Sequence, residues 1–247
     1  MRFLLYNIRY GTGGKRPEMP WKGYLRRTTE NLERIAAFIQ SMDPDIIGLL
    51  EVDAGSYRSR KRNQAQEIAE MLGHHHSYQT KYGQSSVARW LPLFRNQGNA
   101  FIVRDRIHRE QFHYFNRGVK RLVIELRLAR LTVFLVHLAL GYRTRRGQLR
   151  ELAELVNSRS GPLVVAGDFN LLRGGGELVW FLNSTGLNGA GAKGQLTFPS
   201  WAPRRKLDYV LHSPAIRVTR TTVPRVAYSD HLPVVCDFEI RATRDQE

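Results

Sequence analysis

The feature that most constrains this chain is a series of short apolar runs, each ending on an acid, an amide or an imidazole. Phe3–Tyr6 runs into Asn7, Ile46–Leu50 into Glu51, and Val133–Leu138 contains His137 near its end. Leu163–Ala166 is followed by Asp168 and Asn170, Asp208 opens Tyr209–Leu211, and Asp230-His231 precede Leu232–Val235. Runs of this length are too short for buried helices and fit interior strands. A strand end is a rigid platform from which polar side chains can converge on a cleft.

Between these runs the apolar period changes. Leu32, Ile35, Ala36 and Ile39 recur at helical spacing and predict a helix from Thr29 to Met42, closed by Asp43-Pro44. Ala65, Ile68, Ala69 and Leu72 predict a second, ended by Gly73, and Leu149, Leu152, Leu155 and Val156 a third over Thr144–Asn157. Residues 74–98, including His74-His75-His76, read as an irregular, solvated loop. Gly98–Arg104, Leu122–Leu128 and Leu131–Leu138 follow as strands, the last two joined by Ala129-Arg130. Pro162–Ala166, Leu207–His212, Ile216–Thr222 and Leu232–Ile240 complete the set. Helices between strands, with hairpin-like neighbours as well, imply an α/β fold with mixed sheets. No linker or composition break divides residues 1–247, so one domain is expected.

Charge narrows the partner class. Thirty-eight Lys and Arg against 22 Asp and Glu give +16, and residues 104–150 alone hold twelve basic and three acidic side chains. Such a field attracts nucleic acid or an anionic phospholipid surface. Arg143, Arg145, Arg146 and Arg150 fall on or just before the third helix, opposite its leucines, and are the candidate phosphate contacts. Trp90, Trp201 and Leu91-Pro92-Leu93-Phe94 are candidate base- or lipid-contacting residues, though loop anchoring explains them as well. The lone Cys236 excludes an intramolecular disulfide and fits a reducing, cytoplasmic setting. No apolar run approaches the roughly 18 residues of a membrane span. The N-terminal run stops at Asn7, too soon for a signal peptide.

The strand-end residues share a chemistry. Carboxylate and amide oxygens suit a hard cation such as Mg²⁺ or Mn²⁺, which keeps waters and binds substrate phosphate. Zinc is disfavoured, because no Cys cluster and no His pair at ligand spacing is present.

Their order is more specific still. Leu5-Tyr6-Asn7-Ile8, Gly48-Leu49-Leu50-Glu51-Val52, Gly98-Asn99-Ala100, Val136-His137-Leu138, Gly167-Asp168-Phe169-Asn170, Lys206-Leu207-Asp208-Tyr209 and Ser229-Asp230-His231-Leu232-Pro233 follow one another over residues 5–234. The series resembles the motifs of the endonuclease/exonuclease/phosphatase superfamily, which shares the DNase I-like fold. The resemblance implies a four-layer α/β sandwich, two packed mixed β-sheets flanked by helices. It implies a metal held by Glu51 with Asn7 and Asp230, and an attacking water positioned by Asp168 and Asn170. Asp208 would orient His231, His137 would meet the phosphate or the leaving oxygen, and Asn99 would contact substrate. Gln97 and the Ala100-Phe101 continuation depart from the repair-endonuclease pattern, and Leu207-Asp208-Tyr209 from the inositol-phosphatase pattern. Thr197-Phe198-Pro199 is closer to bacterial sphingomyelinase-like members. Two substrate classes therefore stay open: nucleic acid, favoured by the charge, and a phospholipid or other small phosphoester.

Overall fold

The computed structural model describes residues 1–14, 28–57, 59–80, 96–172, 175–191 and 195–241. Trp90, residues 91–94 and Arg58 lie outside these. The first apolar run forms β1 (Arg2–Asn7), with Phe3 and Leu5 facing one side and Leu4 and Tyr6 the other. Helix α1 (Thr29–Met42) then crosses back to β2 (Ile46–Asp53), which lies parallel to β1. Asp43 caps α1 in a left-handed conformation, and Gly73 does the same for α2 (Gln64–Leu72). Asn63 begins α2 by accepting hydrogen bonds from the Ala65 and Gln66 amides.

β3 (His75–Thr80), β4 (Gln97–Val103), β11 (Ile216–Thr222) and β12 (Val234–Ile240) complete a sheet ordered β11-β12-β1-β2-β4-β3. The second sheet is ordered β5-β6-β7-β8-β10-β9. Its strands are β5 (Arg109–Tyr114), β6 (Leu122–Arg127), β7 (Thr132–His137), β8 (Leu163–Asp168), β9 (Asn188–Gly189) and β10 (Asp208–His212). Here α3 (Tyr142–Asn157) is the crossover between the parallel strands β7 and β8, and α4 (Gly176–Thr185) packs beside α3. The inner faces meet through Phe3, Leu5, Phe101, Leu135, Val133 and Ala166. Leu4, Tyr6 and Ile47 are covered by α1 and α2, and Phe134, Val136 and Val165 by α3 and α4. The layers are helix, sheet, sheet, helix, the four-layer sandwich expected. The sheets come close at Gly48, where a Cβ would meet Leu135 at 2.9 Å and Phe3 at 3.3 Å.

Besides the two-residue β9, the elements β3, β5 and α4 differ from the sequence reading. His75 and His76 open edge strand β3, paired antiparallel to β4, instead of lying in a loop, although both remain exposed. β5 is also an edge strand, and its polar composition (Arg109, Glu110, Gln111, His113) hides the alternation. α4 carries apolar residues without a break from Leu178 to Leu182, with Val179 and Trp180 exposed, so no helical period marks it. No helix among the described residues is long and apolar enough to cross a membrane.

Candidate active site

Register brings the strand-end residues together. In the second sheet His137 on β7 and Asp208 on β10 both lie level with Asp168 on β8. In the first sheet Asn7 ends β1 level with Leu50, one residue before Glu51. β1 and β2 pack against β8, so the two rows face each other across the sandwich. Asn7 Nδ2 reaches Asp168 Oδ2 at 3.5 Å, and the Asn7 carbonyl accepts the Ser229 hydroxyl at 2.6 Å, which draws the Ser229-Asp230-His231 segment to the same end.

Two backbone irregularities aim side chains into this space. The β2–β4 pairing shifts between Leu49 and Val52, and Glu51 within the shift has a left-handed φ of 55°. Asn170 also has a positive φ, 51°, with its amide on Asp168 Oδ1 at 3.0 Å and its Nδ2 on the Leu138 carbonyl at 2.9 Å. Such conformations are disfavoured for residues with a Cβ and persist where the surroundings enforce them. Gly167 permits the approach of β8 to β7, because a Cβ there would run into the Val136 carbonyl oxygen.

The cleft that results has a volume of about 330 Å³ and is lined by Asn7, Glu51, Asp168, Asn170, Asp230 and His231 among others. His231 Nδ1 is 2.8 Å from Asp208 Oδ2, and its Nε2 is 3.9 Å from Asp168 Oδ2. Burial opposes charge on His231, but Asp208, Asp168 and Asp230 outweigh it and push its pKa up to about 10. An imidazolium whose Nδ1–H is fixed on a carboxylate presents Nε2–H to the cleft. His137 Nε2 lies 3.1 Å from Asp168 Oδ2. Burial would raise the Asp168 pKa, but His137, His231 and Lys120 hold it well below the usual carboxylate range. Burial raises Asp230, and Glu51 nearby adds to the effect against the partial relief from His231 and Arg9.

These donors fit a divalent ion. Glu51, Asp230 and the Asn7 amide supply hard oxygen atoms around one cleft, and the strain on Asp230 is the kind a cation relieves. Asp168, Asp208 and His231 also offer ligand atoms within 4.8 Å of one another. In that trio His231 Nδ1 and Asp208 Oδ2 are already bonded to each other, whereas Glu51, Asn7 and Asp230 all line the open cleft, so the first set is the better holder.

Several residues fall elsewhere than expected. Asn99 is buried, with Oδ1 3.4 Å from the Glu51 amide, and supports the strained turn from behind instead of lining the cleft. Arg145 does not reach solvent at all. It is 1% exposed, with Nη2 2.7 Å from Glu177 Oε2 and Nη1 on the Ala139 and Leu140 carbonyls at 3.1 and 2.7 Å. As a substrate contact it is corrected: the helix turns it inward, where Glu177 neutralises it. Arg143, Arg146 and Arg150 are exposed along one face of α3, which starts next to the cleft residue Leu140. Arg9 and Lys120 line the cleft and were missed. Arg9 Nε lies 3.4 Å from Asp230 Oδ2, and Lys120 Nζ 3.8 Å from Glu51 Oε1. Lys120 was hidden within the general basic run, and Arg9 follows Asn7 by two residues, which was the available signal.

Among curated proteins none matches the sequence. Solved structures of the same fold include the human Nocturnin catalytic domain, 23% identical, TM-score 0.67, covering 97% of this chain and 93% of that one. D. rerio TDP2 complexed with single strand DNA product is 13% identical, TM-score 0.72, covering 97% and 98%. A Bacteroides thetaiotaomicron mannosyl-6-phosphatase is 16% identical, TM-score 0.71, covering 97% and 100%. Residues 4–231 match the Endonuclease/Exonuclease/phosphatase family, and the chain belongs to this family of phosphoester hydrolases.

Proposed function

We propose that this protein hydrolyses phosphodiesters with the help of Mg²⁺ or Mn²⁺, and that nucleic acid is its substrate class. The observation that carries the reading is the facing of Glu51, Asn7 and Asp230 against Asp168 and the Asp208–His231 pair in one cleft. Glu51, Asn7 and Asp230 would hold the divalent ion, which when bound neutralises phosphate charge and stabilises the developing oxyanion. Asp168, kept ionised by its cationic neighbours, accepts a hydrogen bond from the attacking water, with Asn170 beside it. His231, cationic and oriented by Asp208, places Nε2–H toward a phosphate oxygen. His137, expected at the phosphate or the leaving oxygen, is instead 1% exposed and does not line the cleft, and its Nε2 beside Asp168 Oδ2 gives it the part of orienting that carboxylate. Attack by water on phosphorus then displaces the leaving oxygen in line, with no covalent enzyme intermediate.

The exposed Arg143, Arg146 and Arg150 on α3, and the net charge of +16, favour a polyanion over a small ester. The DNA product held by D. rerio TDP2 lends the same reading support. The test is side-by-side hydrolysis of single-stranded DNA, RNA, anionic phospholipid vesicles and a sugar monophosphate, each with Mg²⁺ or Mn²⁺ and with EDTA. Cleavage of the nucleic acids by a wide margin is the expected result. Preference for vesicles or for the monoester would overturn the substrate class while leaving phosphoester hydrolysis intact.

A further inference from the structure

Beyond helping to keep Asp168 ionised, Lys120 is held in a defined place beside Glu51. It stands in the connection from β5 to β6, in the second sheet, and its side chain, 23% exposed, crosses to Glu51 at the end of the first. Nζ is 3.8 Å from Glu51 Oε1 and makes a close contact with His137 Nε2. The connection itself is clamped by Gln148, a residue of α3 that is 1% exposed. Gln148 Nε2 donates to the carbonyls of Arg117 at 2.9 Å and Lys120 at 2.7 Å, while its Oε1 accepts from the Ala139 amide at 2.8 Å. Gly118, at φ +105°, makes room, because a Cβ there would lie 2.8 Å from Gln148 Nε2. One buried amide thus ties the Lys120 connection to the Ala139–Leu140 edge of the cleft.

The side chain so held is an ammonium on a flexible stem, set beside the carboxylate best placed to take a divalent ion. Two cations sharing one carboxylate repel strongly in a site only partly open to water. We propose that Lys120 is a substrate-phosphate ligand that waits on Glu51: it balances that carboxylate until the divalent ion takes it, then turns to a non-bridging phosphate oxygen. This rests on the divalent-ion reading of the cleft. The stem has the reach to turn, and the clamp fixes its root, so the charge is released without unfolding the connection.

The test uses the full chain as wild type, Lys120→Met, Lys120→Gln, Lys120→Arg and Glu51→Gln, each first checked for an unchanged thermal midpoint. Binding of Mn²⁺ alone is followed by electron paramagnetic resonance, and binding of inorganic phosphate at saturating Mg²⁺ by calorimetry. Removing the competing charge in Lys120→Met or Lys120→Gln should tighten Mn²⁺ by about tenfold and weaken phosphate by about fivefold or more. Lys120→Arg, which keeps the charge, should stay near wild type in both. Unchanged or weaker Mn²⁺ binding in the neutral variants, or unchanged phosphate binding, overturns the proposal. Glu51→Gln separates the two levels. If it binds Mn²⁺ as wild type does, the ion is not at Glu51, and the cleft reading fails and takes this inference with it. If it loses Mn²⁺ while the neutral Lys120 variants show no change, the cleft reading stands and Lys120 alone is wrong.

Discussion

Replacing Arg145 by Ala should destabilise the protein severely without weakening nucleic-acid binding through lost charge. Its guanidinium has Nε 3.0 Å from Glu177 Oε1 and Nη2 2.7 Å from Oε2, and Nη1 serves two carbonyls at the cleft edge. Both side chains are out of water, at 1% and 7% exposure. Removing one partner of a buried pair strands the other and costs about 3–5 kcal/mol. That is a large part of a typical stability of about 5–15 kcal/mol. For a chain of this size it lowers the thermal midpoint by roughly 10 °C. Glu177→Ala should cost a similar amount, and the Arg145→Leu/Glu177→Leu pair much less than the sum, because neither charge is then stranded. Urea unfolding of the four proteins measures this. A loss below about 1 kcal/mol in Arg145→Ala, together with a flatter salt dependence of DNA binding, would refute the buried pair and restore Arg145 to the surface.

Three further outcomes are expected. His231→Ala and Asp168→Ala should each reduce turnover by roughly 10²-fold or more, while Asp208→Asn, which disturbs only the orientation of His231, should be milder; if Asp208→Asn is the more damaging, the orienting role is wrong. Glu125 is fully buried on Arg159 and His113, at 2.8 Å from each. Burial would raise its pKa, but those partners lower it from 4.5 to about 2. Its contribution, about 3 kcal/mol, is therefore present above pH 4.5 and lost as the pH falls toward 2. Urea midpoints of wild type should fall more steeply than those of Glu125→Gln between these limits, and parallel curves would remove the linkage. Gln at Arg143, Arg146 and Arg150 together should reduce the salt slope of log K for DNA by about 0.7–0.9 per phosphate contact, with hydrolysis of a small diester nearly unaltered; an unaltered slope makes that face merely solvated.

The strands that build the site were legible because their apolar runs are continuous and their polar ends abrupt. Asn7, Glu51, Asp168, Asp208 and His231 stood out for that reason, and register then placed His137, Asp168 and Asp208 in one row. Edge strands β3 and β5 were not legible, since half-solvated strands carry polar residues on both faces. Helix α4 was missed because its apolar residues run together without a period. Arg145 misled because charge on an amphipathic helix is ordinarily solvated. The partner that buries it lies 32 residues further on, and no local pattern announces it. Lys120 was lost in a basic stretch for the opposite reason, as one cation among many whose neighbour Glu51 is distant in sequence.

The most direct test of the account is hydrolysis of bis-(p-nitrophenyl) phosphate by wild type and Glu51→Gln, with Mg²⁺ or Mn²⁺ and with excess EDTA. This diester needs no basic face, so it probes the cleft alone. Turnover is expected with either ion, to be lost in EDTA and recovered on adding the metal back, and to be nearly absent in Glu51→Gln. Undiminished turnover in EDTA, or in Glu51→Gln, would contradict this.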